Sequence, residues 1–166
     1  MATGIARPVL LDNTVLTNFA LADEARLVTC LWATGACTTC AALAEYKAGA
    51  TSGLVPVATW VSLPVVTLTE EETAFAAGLS PRLGAGERTC LAVALYRRGL
   101  LASDDLDARR VAKAYCVPLT GTVGILVLGV RRGHLSRDRA DAVLEAMIAR
   151  GYHSPVTTLG DLLGGL

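Results

Sequence analysis

A chain of 166 residues that is 52% hydrophobic and 18% charged carries enough apolar surface to bury a core of its own. That excludes disorder, collagen-like repeats and a disulfide-stapled miniprotein. The 15 basic and 15 acidic residues cancel, so the total charge singles out neither nucleic acid nor an acidic lipid surface. The halves differ: residues 1–80 carry Arg7, Arg26 and Lys47 against seven acids, a net −4, and residues 81–166 carry the other 12 cations against eight acids, a net +4.

No apolar run reaches the ~18 to 20 residues of a membrane span. The longest, Gly121 to Val130, stops at Arg131 and Arg132 and is expected as a helix too buried to serve as an interface. The opening MATGIARPVLLDN lacks the long apolar stretch of a signal peptide, and five cysteines in no regular framework suit a reducing compartment. A cytoplasmic protein is expected.

In chain order, Pro8 to Leu11 (PVLL) is a short continuous apolar run of the kind a strand buried on both faces shows, and it ends abruptly at Asp12. Helical patterns follow at Ala41 to Ala48, Glu70 to Ala77 and Gly86 to Arg98. A second apolar run, Leu100 to Ser103, ends in the Asp104-Asp105 pair, and LDARRVAKAY (Leu106 to Tyr115) sets Leu106, Arg110, Val111 and Ala114 on a helical stripe. Cys116 to Leu119 reads as a strand, and Gly121 to Val130 as a helix opened by Thr120-Gly121-Thr122. Ser136 to Arg150 is an amphipathic helix, apolar at Ala140, Val143, Leu144, Met147 and Ile148, and stopped by Gly151. The tail SPVTTLGDLL allows a last helical turn from Thr157 or Thr158. Strands alternating with helices predict an α/β fold with a mostly parallel central sheet. No linker or repeat interrupts the chain, so one domain over residues 1–166 is expected, with its core near 8–150.

Ligands of an open parallel sheet collect beyond the carboxyl ends of its strands, where Asp12 and the Asp104-Asp105 pair fall. Glu87 shares its helical face with Leu91 and Ala94, so that face is buried and the carboxylate points inward. Glu45 is flanked on its own face by Ala41 and Ala48, small residues that let the helix pack closely beside a cleft. Each acid also has a plainer role: Asp12 and Asp104 as helix caps, Glu87 as a first-turn acid meeting the helix dipole, Glu45 as a solvated residue. Those roles leave the coincidence of all four unexplained. Carboxylates about 5 Å apart at an effective dielectric near 20 repel by about 3 kcal/mol per pair, so such a cluster needs shared protons or a cation. Oxygen-only ligands favour Mg²⁺ or Mn²⁺, which position water to attack phosphorus.

LLDNTVLTNFA (Leu10 to Ala20), ALAEYKAG around Glu45, GAGERTCLAVAL (Gly84 to Leu95), LASDDLDARRVAKAY (Leu101 to Tyr115) and PLTGTVGILV (Pro118 to Val127) stand in this order along the chain. Together they resemble a PIN domain, and among PIN proteins the VapC-like proteins of bacteria and archaea. The resemblance runs from about Pro8 to about Arg150 and implies a three-layer α/β fold, a central parallel sheet with helices on both faces. It implies a metal-dependent ribonuclease. On that resemblance Asp12 matches the acid after the first strand and Glu45 the helical second acid. Glu87 matches the third, here Glu where many members have Asp, and the fourth is Asp104 or Asp105. Mg²⁺ or Mn²⁺ would be held by Asp12, Glu87 and Asp105 or Asp104, with Glu45 in or beside the ligand shell. Asn13 and Thr14 match small polar residues after the first acid, Asn18 a polar position in the next helix, and Gly121-Thr122 a structural Gly-Thr turn. Arg109, Arg110 and Lys113 follow the fourth acid and would hold the RNA backbone with Thr14 and Asn18, unless Arg109 pairs with an acid as scaffold. The resemblance further implies a homodimer and, for a toxin of a toxin–antitoxin pair, a small antitoxin partner.

Two rival readings stay open. One is a PIN-like module that binds another chain and is catalytically idle. The other is a haloacid-dehalogenase-type phosphatase, which needs a second Asp two residues after its nucleophile, where this chain has Thr14. Cys37-Thr38-Thr39-Cys40 lacks the second pair a structural zinc site wants, so its cysteines are expected as small buried hydrophobes. His134 and His153 accompany no nucleophile elbow, and Trp32 and Trp60 are expected in the core.

Overall fold

A computed structural model describes residues 7–56 and 58–164; the opening 1–6, part of the stretch read for a signal peptide, lies outside the described residues. Five strands form one parallel sheet: β1 (Val9–Leu11), β2 (Ala36–Thr39), β3 (Val65–Val66), β4 (Leu100–Ala102) and β5 (Leu119–Thr120), in the order β3-β2-β1-β4-β5. The chain moves outward from β1 to β3 and then returns to the other flank of β1 for β4 and β5. Leu11 pairs with Ala102, so the ends of β1 and β4 lie side by side where the strand order reverses. Such a switch point opens a crevice beyond the carboxyl ends.

The two-residue period of a strand divides the core. Val9 and Leu11 of β1 enter one cluster and Leu10 the other. The first is built by α1 (Asn13–Leu21), α2 (Ala25–Leu31), α7 (Thr122–Arg131) and α8 (Arg137–Ala149), through Leu16, Phe19, Val28, Ile125, Leu126, Leu144 and Met147. The second is built by α5 (Ala85–Tyr96) and α6 (Leu106–Ala114), through Cys90, Leu91, Val93, Ala94 and Ala112 against Leu10 and Leu101. With α3 (Cys40–Thr51) and α4 (Glu70–Gly78) packed on α5, helices cover both faces and three layers result. No described helix is long and apolar enough to cross a membrane.

Several expectations change. Cys116 to Leu119 is not a strand, because Cys116 adopts a left-handed φ of 57° and ends α6. Cys116 N–H donates to Lys113 O and Val117 N–H to Ala112 O, the paired bonds of a Schellman turn, and β5 begins only at Leu119. The apolar helix α7 is not wholly buried, since Gly124 is exposed and Val127 half-buried. Cys37 lies buried in β2 while Cys40 is exposed at the start of α3, so the C-x-x-C pair is split. Trp60 is buried and donates Nε1–H to Leu16 O, whereas Trp32 is half-buried at the edge of the core. The tail's last turn is a short 3₁₀ helix, Gly160–Leu162.

Candidate functional site

Asp12 leaves β1 fully buried beside the end of β4, with its own N–H donating to Ala102 O. Its Oδ1 accepts from Asn13 N–H at 2.7 Å and its Oδ2 from the Ser103 hydroxyl at 2.7 Å. Burial pushes the Asp12 carboxyl up to about 7; the Ser103 hydrogen bond opposes this, and the charges of Glu87 and Glu45 add to it. Ser103 Oγ also accepts from Asp105 N–H at 3.2 Å, which ties the first acid to the segment carrying the last.

Glu87 and Asp105 sit at helix starts and Glu45 lies in the middle of α3. Glu87, in the first turn of α5, reaches back with Oε2 to Gly84 N–H at 2.7 Å. Its carboxyl is also displaced upward, first by burial, with the Gly84 bond opposing and the charges of Asp105, Glu45 and Asp107 reinforcing. Glu45, on α3, accepts Gly86 N–H at 2.9 Å on Oε1. This requires α3 and α5 to approach closely, and Gly86 permits it: a methyl group there would stand 2.8 Å from Ala42 Cα. The close packing thus centres on Ala42, not on Ala41 and Ala48. Asp105 caps α6, with Oδ1 accepting from Ala108 N–H at 2.7 Å.

Glu45, Glu87 and Asp105 share a pattern. Each fastens one carboxylate oxygen to a backbone N–H and leaves the other without a hydrogen bond among the described residues. The charges acting most strongly on Asp12 and Glu87 are all negative. Free, uncompensated carboxylate oxygens are the donor type a hard divalent ion takes. Among the described residues no three Asp, Glu, His or Cys side chains lie close enough to share an ion as they stand. The residues therefore fit such an ion in chemistry and would have to draw inward to ligate it.

Asp104 is different. Its Oδ1 accepts from Thr122 N–H at 2.9 Å and from the Tyr152 hydroxyl at 3.2 Å; its Oδ2 accepts from Thr122 Oγ1–H and from Asn18 Nδ2 at 3.2 Å. Asn18 also donates to Thr122 Oγ1 at 3.0 Å, and Thr14 Oγ1 accepts from Asp104 N–H at 3.1 Å. Both oxygens are filled, and the side chain bolts the end of β4 to α1, α7 and the C-terminal segment. Gly121 is small for the same reason, since a methyl group there would stand 2.5 Å from Asp104 Oδ1.

The basic candidates separate as well. Arg109 Nη1 donates to Ser103 O at 2.9 Å and Thr120 O at 3.0 Å, clamping the ends of β4 and β5 as scaffold, with carbonyls rather than an acid as partners. Arg110 pairs with Asp107 at 2.7 Å on the surface, and Lys113 is exposed in the last turn of α6. Ser103 and Tyr152 were not anticipated. For Ser103 a signal existed, a hydroxyl directly before paired acids at a strand end; Tyr152 gave none, its contact being 48 residues away in sequence. Nor was Arg88 anticipated, whose Nε is the one buried side-chain nitrogen or oxygen among the described residues without a hydrogen-bond partner.

The PIN domain family model matches residues 8–164. The chain belongs to the PIN domain family. No curated protein and no solved structure matches the chain. PIN domains are generally nucleases, hydrolases that typically use divalent metals, and nuclease-type function follows for this PIN domain at that level.

Proposed function

We propose that this PIN domain is an endoribonuclease dependent on Mg²⁺ or Mn²⁺, with the ion held by Asp12, Glu87 and Asp105 and with Glu45 beside them. The observation that supports this most directly is a buried Asp12 raised by the charges of Glu87 and Glu45, together with the free carboxylate oxygens of Glu45, Glu87 and Asp105. A bound divalent ion supplies a water nucleophile at neutral pH and neutralises charge building up at phosphorus. The chain's residues do the rest. Ser103 fixes the rotamer of Asp12, and the Gly84, Gly86 and Ala108 amides aim Glu87, Glu45 and Asp105. Asp104 serves as the brace rather than a ligand, because its oxygens already accept four hydrogen bonds. Of the polar residues assigned to substrate, Thr14 and Asn18 act through Asp104, and Arg109 through the strand ends.

The same proposal extends beyond the site. It comprises a single domain over residues 1–166, work in the cytoplasm, a homodimer, and the role of a toxin restrained by a small antitoxin protein. Purified protein is expected to cleave single-stranded RNA with Mg²⁺ or Mn²⁺, and EDTA or Asp12→Asn is expected to abolish cleavage, by about a thousandfold or more, equivalent to about 4 kcal/mol of barrier. Cleavage that survives both treatments overturns the proposal.

A further inference from the structure

Two cavities meet beside Asp104. One, of about 610 Å³, is lined by Asn13, Thr14, Asn18, Asp105 and Arg110 among others. The second, of about 860 Å³, is lined by Arg109, Val123, Val127, Arg131 and Leu162 among others. Asp104, Leu106, Tyr152 and His153 line both, so the two adjoin along a trough that touches the acid set at Asp105 and extends past His153 to Arg131. Each volume is in the range of sites that seat small organic ligands.

The trough changes character along its length. Its near end is walled by hydroxyls, amides and carboxylates. Beyond His153 the walls are apolar, with Arg109 and Arg131 set against a single acid, Asp104, whose oxygens are already filled. Leu106 is 74% exposed and Leu162 41% exposed, so nothing described covers the apolar floor. Arg131 spends Nη2 on the Leu162 carbonyl, and no carboxylate pairs with it among the described residues. Tyr152 is preset, because its hydroxyl is held by Asp104.

We propose that this trough holds the RNA strand on one side of the scissile phosphate, with the adjoining base against Tyr152, His153 and Leu106 and a more distant phosphate at Arg131. The proposal rests on the ribonuclease reading and adds the path of the substrate. An unpaired base presents an apolar face that stacks on aromatic side chains, whereas a backbone phosphate needs a cation. The trough offers these in sequence and reaches the acid set through Asp105. A ring held in place before binding loses little entropy when a base lands on it. An acidic peptide is the competing occupant of a groove with apolar walls and arginines, and the test separates it from RNA.

The test uses the Asp12→Asn protein, which should hold RNA without cutting it, and short single-stranded oligoribonucleotides bearing thiouridine. Photocrosslinks are expected at Tyr152 or His153, located by peptide mass spectrometry. Arg131→Glu, a change at an exposed side chain, is expected to weaken binding about tenfold in fluorescence anisotropy and to lower the salt slope by about one. Crosslinks confined to other faces, or equal binding by Arg131→Glu, overturn the path. Arg131→Glu that keeps RNA affinity but loses a copurifying polypeptide assigns the trough to a protein partner and overturns it too. Metal-dependent cleavage by the unaltered protein is measured separately: if cleavage is present and the crosslinks lie elsewhere, the path alone fails, and if neither cleavage nor RNA binding is found, both readings fail.

Discussion

Glu72 and Asp12 are both almost completely shielded from solvent, yet the protein treats them in opposite ways. Glu72 receives Arg97 through two bonds of 2.7 and 2.8 Å and also accepts Thr69 N–H at the start of α4. Its carboxyl is held below the usual range, chiefly by Arg97. Asp12 receives one hydroxyl and one backbone N–H, its charged neighbours are acids, and its carboxyl rises to about 7. The chain therefore has the means to neutralise a buried acid and uses them where a helix has to be fastened. At the switch point of the sheet it withholds them, and a buried charge left open in a crevice marks a place prepared for something else.

The largest expected break in that contrast comes from pH. A carboxyl whose folded-state pKa is raised is favoured in its protonated form, so its contribution is fully present below the unfolded value near 4 and is lost as pH rises through about 7. Three pKa units correspond to about 4 kcal/mol. In EDTA the protein is expected to lose stability to urea between about pH 4 and pH 7, and Asp12→Asn to be the more stable protein above that window with the gain vanishing only toward pH 4. A difference that stays flat across that window would show that Asp12 is compensated after all.

Arg97→Ala attacks the other side of the comparison. It leaves Glu72 buried and alone, at a cost of about 2 to 3 kcal/mol, below that of a fully enclosed pair because Arg97 is 34% exposed. Urea midpoints at pH 7 should show the loss, and adding Glu72→Gln should recover part of it. Full stability in Arg97→Ala would remove the contrast. Gly86→Ala sharpens it: the new methyl would meet Glu45 Oε2 at 2.7 Å and Ala42 Cα at 2.8 Å, forcing α3 from α5 at about 1 to 3 kcal/mol. The accompanying retreat of Glu45 should reduce the pH dependence seen in EDTA.

Much of this was legible in the sequence, for identifiable reasons. β1 and β4 were readable because unbroken apolar runs end sharply in aspartates. β2 was not, because ACTT looks polar; in the fold Thr38 donates to Leu11 O and Thr39 meets Thr89, so both hydroxyls are buried without penalty. β3 is two residues long with Val65 exposed, too short to show a period. β5 was misplaced because a left-handed Cys116, where glycine is the usual signal, ended the helix before it. The acids announced themselves by type and position. What they lean on did not, since Ser103, Tyr152 and the carbonyl clamp of Arg109 exist only once distant segments have met.

The aim of Glu45, Glu87 and Asp105 is set by the main chain, and that of Asp12 by the main chain together with Ser103. Asn13, Gly84, Gly86 and Ala108 each hold a carboxylate through the peptide N–H, a group every residue except proline carries. The donors survive a change of side chain, but the room for a larger one does not follow: at Gly86 a methyl group would stand 2.7 Å from Glu45 Oε2, and Ala108 is fully buried. Proline is the one natural residue that erases such a donor outright.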